Sequence, residues 1–412
     1  MQSKLFCSVR PFAVLAGVIG LVACSRDAGT QVQPEGASFQ QITAQGQRAA
    51  DVPAFWVRPG YAVSLAANDL ENARFLEADD AGNVYVSRPN IGDILRLKPL
   101  PNGKFGTPTK FVSGKKSAHG MDWNDGWLYF STIADIWRAK DTNGDGVADK
   151  TEHVLTREQI AGGGGHWWRS ILVTKNYIYT SVGDSGNIVD ELDGPRQKIW
   201  RFTLDGKNQT QFASGLRNTE KLRLRSGTDE VWGCDHGSDN WGAAFGDQPG
   251  TNQPFTDLNP PDELNHYELG KFYGHPFIMG NRVPRMEYKD RKDLVELAAK
   301  TVPPAWSLGA HWATNGFCFL EKSGFGEDHR GDALVACHGS WNSVKKVGYR
   351  VERILFDDVT GLPYGSLCIV STLSKSGEVL DRPVDCVELP DGSVIFSCDY
   401  TNSLYRLKKV KA

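Results

Sequence analysis

Short apolar runs, each closed by a turn rich in Gly, Asp, Asn or Pro, recur along most of the 412-residue chain. They include AVSLAA (62–67), NVYVSR (83–88), DILRLK (93–98), WLYFST (127–132), SILVT (170–174) and YIYTSV (177–182). KIWRFTL (198–204), EVWGCD (230–235), ALVACHG (333–339), YRVERILF (349–356), SVIFSCD (393–399) and SLYRLKK (403–409) follow. Turn signatures such as ADDAGN (78–83) and LPDGS (389–393) join many of them into hairpins. A looser unit also repeats, in which a strand, a turn and a second strand ending in Arg succeed one another, as in NVYVSRPNIGDILRL and SVIFSCDYTNSLYRL. One such unit cannot bury its own apolar face, so repetition at tens of residues implies radial closure, which also removes exposed sheet edges. Runs with helical periodicity are scarce. The expectation is an all-β fold, a six-bladed β-propeller over residues 53–412. A two-sheet sandwich is the competing architecture, but it rarely needs so many hairpins.

Residues 236–315 break the rhythm with Pro, Asn and Gly clusters (GDQPGTNQPFTDLNPPDELN). Long loops on a rigid scaffold commonly carry the functional site.

The N-terminus reads as an export signal. Lys4 and Arg10 give a basic start, and Pro11 to Ala23 is uncharged. That run suits a signal segment and is too short to span a bilayer, which takes about 20 residues. Leu21-Val22-Ala23-Cys24 has the form of a bacterial lipobox, so residues 1–24 are expected to be a lipoprotein signal with Cys24 as the lipidated residue. Plain cleavage without lipidation is the alternative. Ser25 leans toward outer-membrane sorting. Residues 25–52 are poor in large apolar side chains, which predicts a flexible tether. The expected location is the bacterial cell envelope, on its periplasmic face, held to the membrane by the lipid.

Lys and Arg number 46 against 49 Asp and Glu, and no basic stripe appears, so nucleic acid is not an expected partner. Six cysteines follow the signal: Cys234, Cys318, Cys337, Cys368, Cys386 and Cys398. Export permits disulfides, yet most of these lie in apolar strand runs, where buried free thiols are equally suited. No C-x-x-C-H occurs, which excludes a covalently attached c-type haem.

Residues 141–152 read DTNGDGVADKTE and match a complete calcium-loop pattern. Asp141, Asn143, Asp145, Asp149 and Glu152 occupy ligand positions, Val147 would offer its carbonyl, and Gly146 falls at the sharp turn. Because the preceding run is strand-like, the expectation is a structural Ca²⁺ in a propeller loop rather than a sensor. An acidic turn without metal is the bland alternative.

GGGGHWWRS (162–170) places His166 on a loop just before a strand. The glycines do not open a helix and no Lys-Ser/Thr follows, so this is not a phosphate loop. Further polar motifs succeed it at similar blade positions: GDSGN (183–187), GLRN (215–218), DHGSDN (235–240), DELN…YGHP (262–276), HGSWN (338–342) and RPVD (382–385). In this order they resemble the PQQ-dependent soluble glucose dehydrogenase and sorbosone dehydrogenase group of six-bladed propellers, over most of the chain from about residue 55.

The resemblance implies a sugar dehydrogenase with PQQ and Ca²⁺ as cofactors. It implies His166 as general base and Asp184 as its orienting carboxylate. It implies Arg217 and Asn218 as the quinone-facing pair, since a guanidinium stabilises reduced quinone charge. Gly237 and Ser238 fall where two carbonyls hold the cofactor's calcium. Asp262 and Tyr273 match the neighbouring polar shell, Arg382 a cofactor-carboxylate arginine, and His338 a basic cofactor contact. Arg74 would close the site from the first blade. Thr219-Glu220-Lys221 after GLRN, and Ser238 beside the calcium position, depart from the group's pattern. A small-molecule sugar substrate and an external electron acceptor, membrane quinone or cytochrome, complete the expected partners. A calcium-dependent lactonase-type hydrolase and a non-catalytic glycan- or protein-binding propeller stand as alternatives.

Overall fold

The computed structural model describes residues 45–410. Six antiparallel sheets are arranged around one axis, as the repeat predicts. The first blade comprises Leu76–Ala78, Val84–Arg88, Asp93–Leu97 and Thr109–Val112, and the second Met121–Asn124, Trp127–Ser131, Ile136–Lys140 and Lys150–Leu155. The third comprises Leu172–Val173, Tyr177–Val182, Lys198–Thr203 and Thr210–Ser214, with Lys271–Phe272 added at its outer edge. The fourth holds Thr219–Leu224, Val231–Asp235, Pro261–Tyr267 and Trp306–Ala310. The fifth holds Thr314–Phe319, Ala333–Cys337, Arg350–Phe356 and Pro363–Ser371, edged by Trp56–Val57. The sixth joins the two ends of the fold: Pro383–Glu388, Val394–Cys398 and Ser403–Lys409 are followed by Tyr61–Ala67 from the N-terminal side.

The first strand of each blade lines the axis, where neighbouring first strands touch. These strands carry charge inward. Lys221 Nζ lies 2.8 Å from Asp385 Oδ2, and Arg223 lies 2.8 Å from Glu77 and 3.4 Å from Asp122. Four blades are thereby tied across the axis by buried charged and hydrogen-bonded groups. Apolar cores fill the wedges between blades, as where Trp232, Phe319 and Phe356 meet edge to face.

Two boundaries differ from expectation. Gln47–Arg48 pairs in parallel with Ala62 and Val63, and Val52 is buried in the core, so residues 45–52 belong to the propeller and not to a tether. The stretch 236–315 is not all loop: it supplies two strands of the fourth blade and one short helix, α1 (Leu294–Lys300). Cys24, the export signal and the remainder of the tether lie outside the described residues. The six cysteines are all free thiols, and five of them are buried.

Candidate active site

In a propeller the connections from second to third strand, and from the last strand to the next blade, emerge on the same face. That rule gathers the glycine-histidine loop, GDSGN, GLRN, DHGSDN, HGSWN and the turn at Asp399 onto one end of the axis. The loop 141–149 joins third to fourth strands in the second blade, so it lies on the opposite face.

The glycine-histidine loop is pinned from three sides. Arg169, fully buried, donates to the carbonyls of Ala161 and His166, and Arg196 donates to Gly162 and Gly163 at 2.9 and 2.8 Å. Gly165 N donates to Ser185 O at 2.6 Å, an approach that leaves a Cβ only 2.9 Å from the same oxygen. His166 Nδ1 lies 3.0 Å from Asp184 O. A carbonyl only accepts, so Nδ1 carries the proton and Nε2 carries the lone pair. Burial, then the Arg217 charge, pull this imidazole down to about 3. It is therefore neutral, with Nε2 able to accept a proton, throughout the ordinary pH range.

Asp184 plays a different part from the one expected. Its carbonyl, not its carboxylate, orients His166. The carboxylate lies 2.6 Å from His275 Nε2 and accepts from Gly186 N, Val189 N and Gln197 Nε2. Burial works against the charge, but these donors overcome it and hold Asp184 below the usual carboxylate range. His275, from YGHP, is thus a site-building residue that sequence did not single out.

Arg217 spends its guanidinium on two loops. Nε donates to Asn187 O at 3.0 Å, one terminal nitrogen to Gly237 O at 2.8 Å, and the other to Asn187 Oδ1 and Asp239 Oδ2. Asp235 accepts the backbone amides of both Arg217 and Asn218, at 2.9 and 2.6 Å. Asn218 Nδ2 lies 3.0 Å from both Glu220 Oε1 and His236 Nδ1, while its buried Oδ1 has no partner. Glu220 is the extra residue of a bulge between Thr219 and Lys221, which turns its side chain into this cluster. The departure from the GLRN pattern noted in the sequence is therefore a structural feature of the site.

Arg74, His338 and Arg382 come together as expected, around a residue that was not: Asp399. Arg74 reaches its Oδ2 at 2.7 Å, Arg382 Nε its Oδ1 at 2.9 Å, and His338 Nε2 lies 3.1 Å from both oxygens. Arg74 also stands over the Trp168 ring at 5.2 Å, tying this cluster to the His166 loop. Two arginines and a histidine on one carboxylate leave a surplus of positive charge and donors, which suits an anionic, multiply carboxylated guest.

Other expected positions fit less well. Asp262 is buried and braces the loops, accepting Gly237 N at 2.9 Å and Thr314 N at 3.0 Å. The Tyr273 hydroxyl is bonded at the end of its blade, to His266 O and Glu268 N, while the residue lines a small cavity with Arg217, Gly237 and His275. The Gly237 carbonyl faces the Arg217 guanidinium, and Ser238 Oγ accepts from Arg285 at 2.5 Å. A carbonyl bonded to a guanidinium is a poor ligand for a second cation, so this arrangement does not fit a calcium ion at 237–238.

The acidic loop is also only partly assembled. Asp141 accepts Gly144 N and Gly146 N and pairs with Arg96, Asn143 and Asp145 bond within the loop, and Asp149 holds Thr142. Val147 lies at the loop's exposed crest. Glu152 sits on the following strand, paired with Arg138 and Lys150, and does not join the others as the calcium pattern requires. Among the described residues, no three His, Cys, Asp or Glu side chains converge as metal ligands.

Comparison with known proteins agrees with this fold. A 23% identical protein of undescribed function from Borreliella burgdorferi covers 84% of this chain and 89% of its own length. A Trichoderma reesei enzyme of carbohydrate-active family AA12 superposes with a TM-score of 0.75 at 17% identity, over 89% of this chain and 100% of that one. The PQQ domain of a Coprinopsis cinerea pyranose dehydrogenase, in its holo form, superposes with a TM-score of 0.73 at 18% identity, over 88% and 100%. The resemblance drawn from the motif order is borne out by these matches. The model of one family, TrAA12-like, matches residues 55–408, and the chain belongs to that family.

Proposed function

We propose that this protein is a PQQ-dependent oxidoreductase that oxidises an aldose or related sugar aldehyde and passes the electrons to an external acceptor. The carrying observation is the convergence of Arg74, His338 and Arg382 on Asp399, on the same face as a neutral, fixed His166. The pyranose dehydrogenase named above carries PQQ, and the residues here fit that cofactor, whose carboxylates match the surplus of cationic donors. When bound, PQQ supplies the two-electron acceptor. His166 Nε2 takes the proton of the sugar hydroxyl, with Nδ1–H anchored on Asp184 O so that the ring keeps one tautomer. Arg217 holds the 187, 237 and 239 loop positions in one arrangement and keeps positive charge beside the base. Trp167 and Trp168, stacked at 3.7 Å, follow the histidine in the same loop.

Calcium has no step in this scheme. The loop at 141–149 lies on the far face, and a stabilising ion there would act on the fold alone. The proposal places the protein in the cell envelope, lipidated at Cys24, with membrane quinone or a cytochrome as acceptor, because the sequence has no haem-attachment motif.

The test is reconstitution of the cofactor-free protein with PQQ, with and without Ca²⁺, followed by dye-linked assays on a panel of sugars. PQQ-dependent dye reduction is expected, and His166→Ala should lower kcat by about 10²–10⁴, the range supplied by a positioned base. A histidine variant with wild-type turnover, or no quinone binding, overturns the proposal.

A further inference from the structure

Trp341 is 79% exposed, yet it stands at the rim of the cavity, of about 130 Å³, that also holds His166, Gly237 and Asp239. A large aromatic left in water forgoes the burial that stabilises most tryptophans. The residues around it are firmly held. Ser340 accepts the Tyr349 hydroxyl on its carbonyl at 2.7 Å, and its own amide donates to Val347 O. Gly339 lies so close to the Tyr349 ring that a Cβ would sit 2.5 Å from it. Asn342 is buried, donates to Asp239 Oδ1 at 3.1 Å, and accepts Gln253 Nε2 at 3.0 Å on its carbonyl. An indole is thus displayed on a fixed base, with the ordering cost of its backbone already met.

The cavity is also lined by His166 and Asp239, which make part of its wall polar. A guest that suits both the indole and these groups has a flat apolar face and a polar edge. A pyranose ring has this form: axial C–H groups on one face and hydroxyls around the rim. A purely apolar ligand would leave the His166 Nε2 lone pair without a partner, and a short open-chain aldehyde offers too little surface to cover an indole.

Resting on the functional reading above, we propose that Trp341 is the stacking platform for the substrate's ring, so that the enzyme selects closed pyranoses over short open-chain aldehydes. It is a specificity-determining residue and takes no part in the proton or electron transfer. For Trp341→Ala in the PQQ-loaded enzyme, KM for D-glucose and other aldopyranoses should rise about tenfold or more, with kcat within about twofold. KM for glyceraldehyde, and for the dye, should stay as in the wild type. Trp341→Phe should restore most of the pyranose affinity. Saturation-transfer NMR on the cofactor-free protein gives a readout without turnover: ring C–H signals of the sugar are expected with wild type and lost with Trp341→Ala. An unchanged pyranose KM, an equal loss for glyceraldehyde, or a change confined to the dye overturns the platform. If no sugar is oxidised but pyranose binding still depends on Trp341, the dehydrogenase reading fails and the platform stands. If sugars are oxidised and binding ignores Trp341, the reverse holds.

Discussion

Asp399 shows how one side chain sets the character of a site. It is nearly buried and holds two arginines and a histidine that would otherwise repel one another. Burial opposes its charge, but His338 and the two arginines hold it far below the usual carboxylate range. Asp399→Asn keeps the shape and removes the charge, leaving Arg74 and Arg382 without their shared counter-ion. A loss of about 1–3 kcal/mol is expected, read from the chemical denaturation midpoint. Asp122, at the other end of the axis, behaves in the opposite sense. Burial, then the nearby Glu77 charge, push its carboxyl up to about 7, despite Arg223. The folded protein therefore holds a proton there that the unfolded chain, with an ordinary value of 3.8, has released. Its stabilising contribution is complete below that value and is lost as pH rises through about 7. Asp122→Asn can still accept the Val173 amide. The stability of wild type relative to this variant should fall steadily between pH 4 and 7, and a flat difference would refute the assignment.

At the scale of elements, the site depends on how closely loops from different blades approach. Gly183 begins GDSGN, and a Cβ there would lie 2.6 Å from Arg217 O and 2.8 Å from the His166 Cβ. Gly183→Ala must therefore push apart the His166 and Arg217 loops. A stability loss of about 1–3 kcal/mol is expected, with a fall in sugar oxidation well beyond what that loss explains, from matched melting curves and dye assays. Strands rich in apolar residues were legible, and Tyr61–Ala67, Tyr177–Val182 and Ser403–Lys409 fall within a residue of their sequence-based limits. Most innermost strands were not. Glu77, Asp122, Lys221, Arg223 and Asp385 face the axis and pair there, so their segments look polar in sequence while being buried in the fold. The site was legible as an order of motifs, because the blade repeat places those loops on one face. Its wiring was not: Asp184 meets His275 from 91 positions away, and Asp399 gathers Arg382, His338 and Arg74 from 17, 61 and 325 positions away, which no spacing rule reports. The acidic loop misled for a related reason, since a matching pattern does not fix whether Glu152 turns inward or pairs along its strand.

The whole molecule is held as a ring by its N-terminal segment. Tyr61–Ala67 inserts between Gln47–Arg48 and Ser403–Lys409 in the sixth blade, while Trp56–Val57 edges the fifth. Residues 45–67 thus staple two adjacent blades, and the C-terminal strand is the partner that closes the circle. Its register runs from Leu404 opposite Ala67 to Lys409 opposite Tyr61, and Leu404, Tyr405 and Leu407 are buried. Removing residues 403–412 would strip the partner from both 61–67 and Val394–Cys398, expose two strand edges, and open the apolar wedges on either side. Because axial ion pairs and hydrogen bonds connect the first, second, fourth and sixth blades, the damage cannot stay local. The truncated chain should lose the cooperative thermal transition and near-ultraviolet dichroism of the full one, and amide exchange should accelerate in the first-blade and fourth-blade inner strands, far from the cut. Exchange that quickens only in the sixth blade would mean that the blades are stable independently and that the axial charges do not couple them. Loss of protection along the axis would instead show that the ring closure at 61–67 is what keeps the loops of all six blades in register as one site.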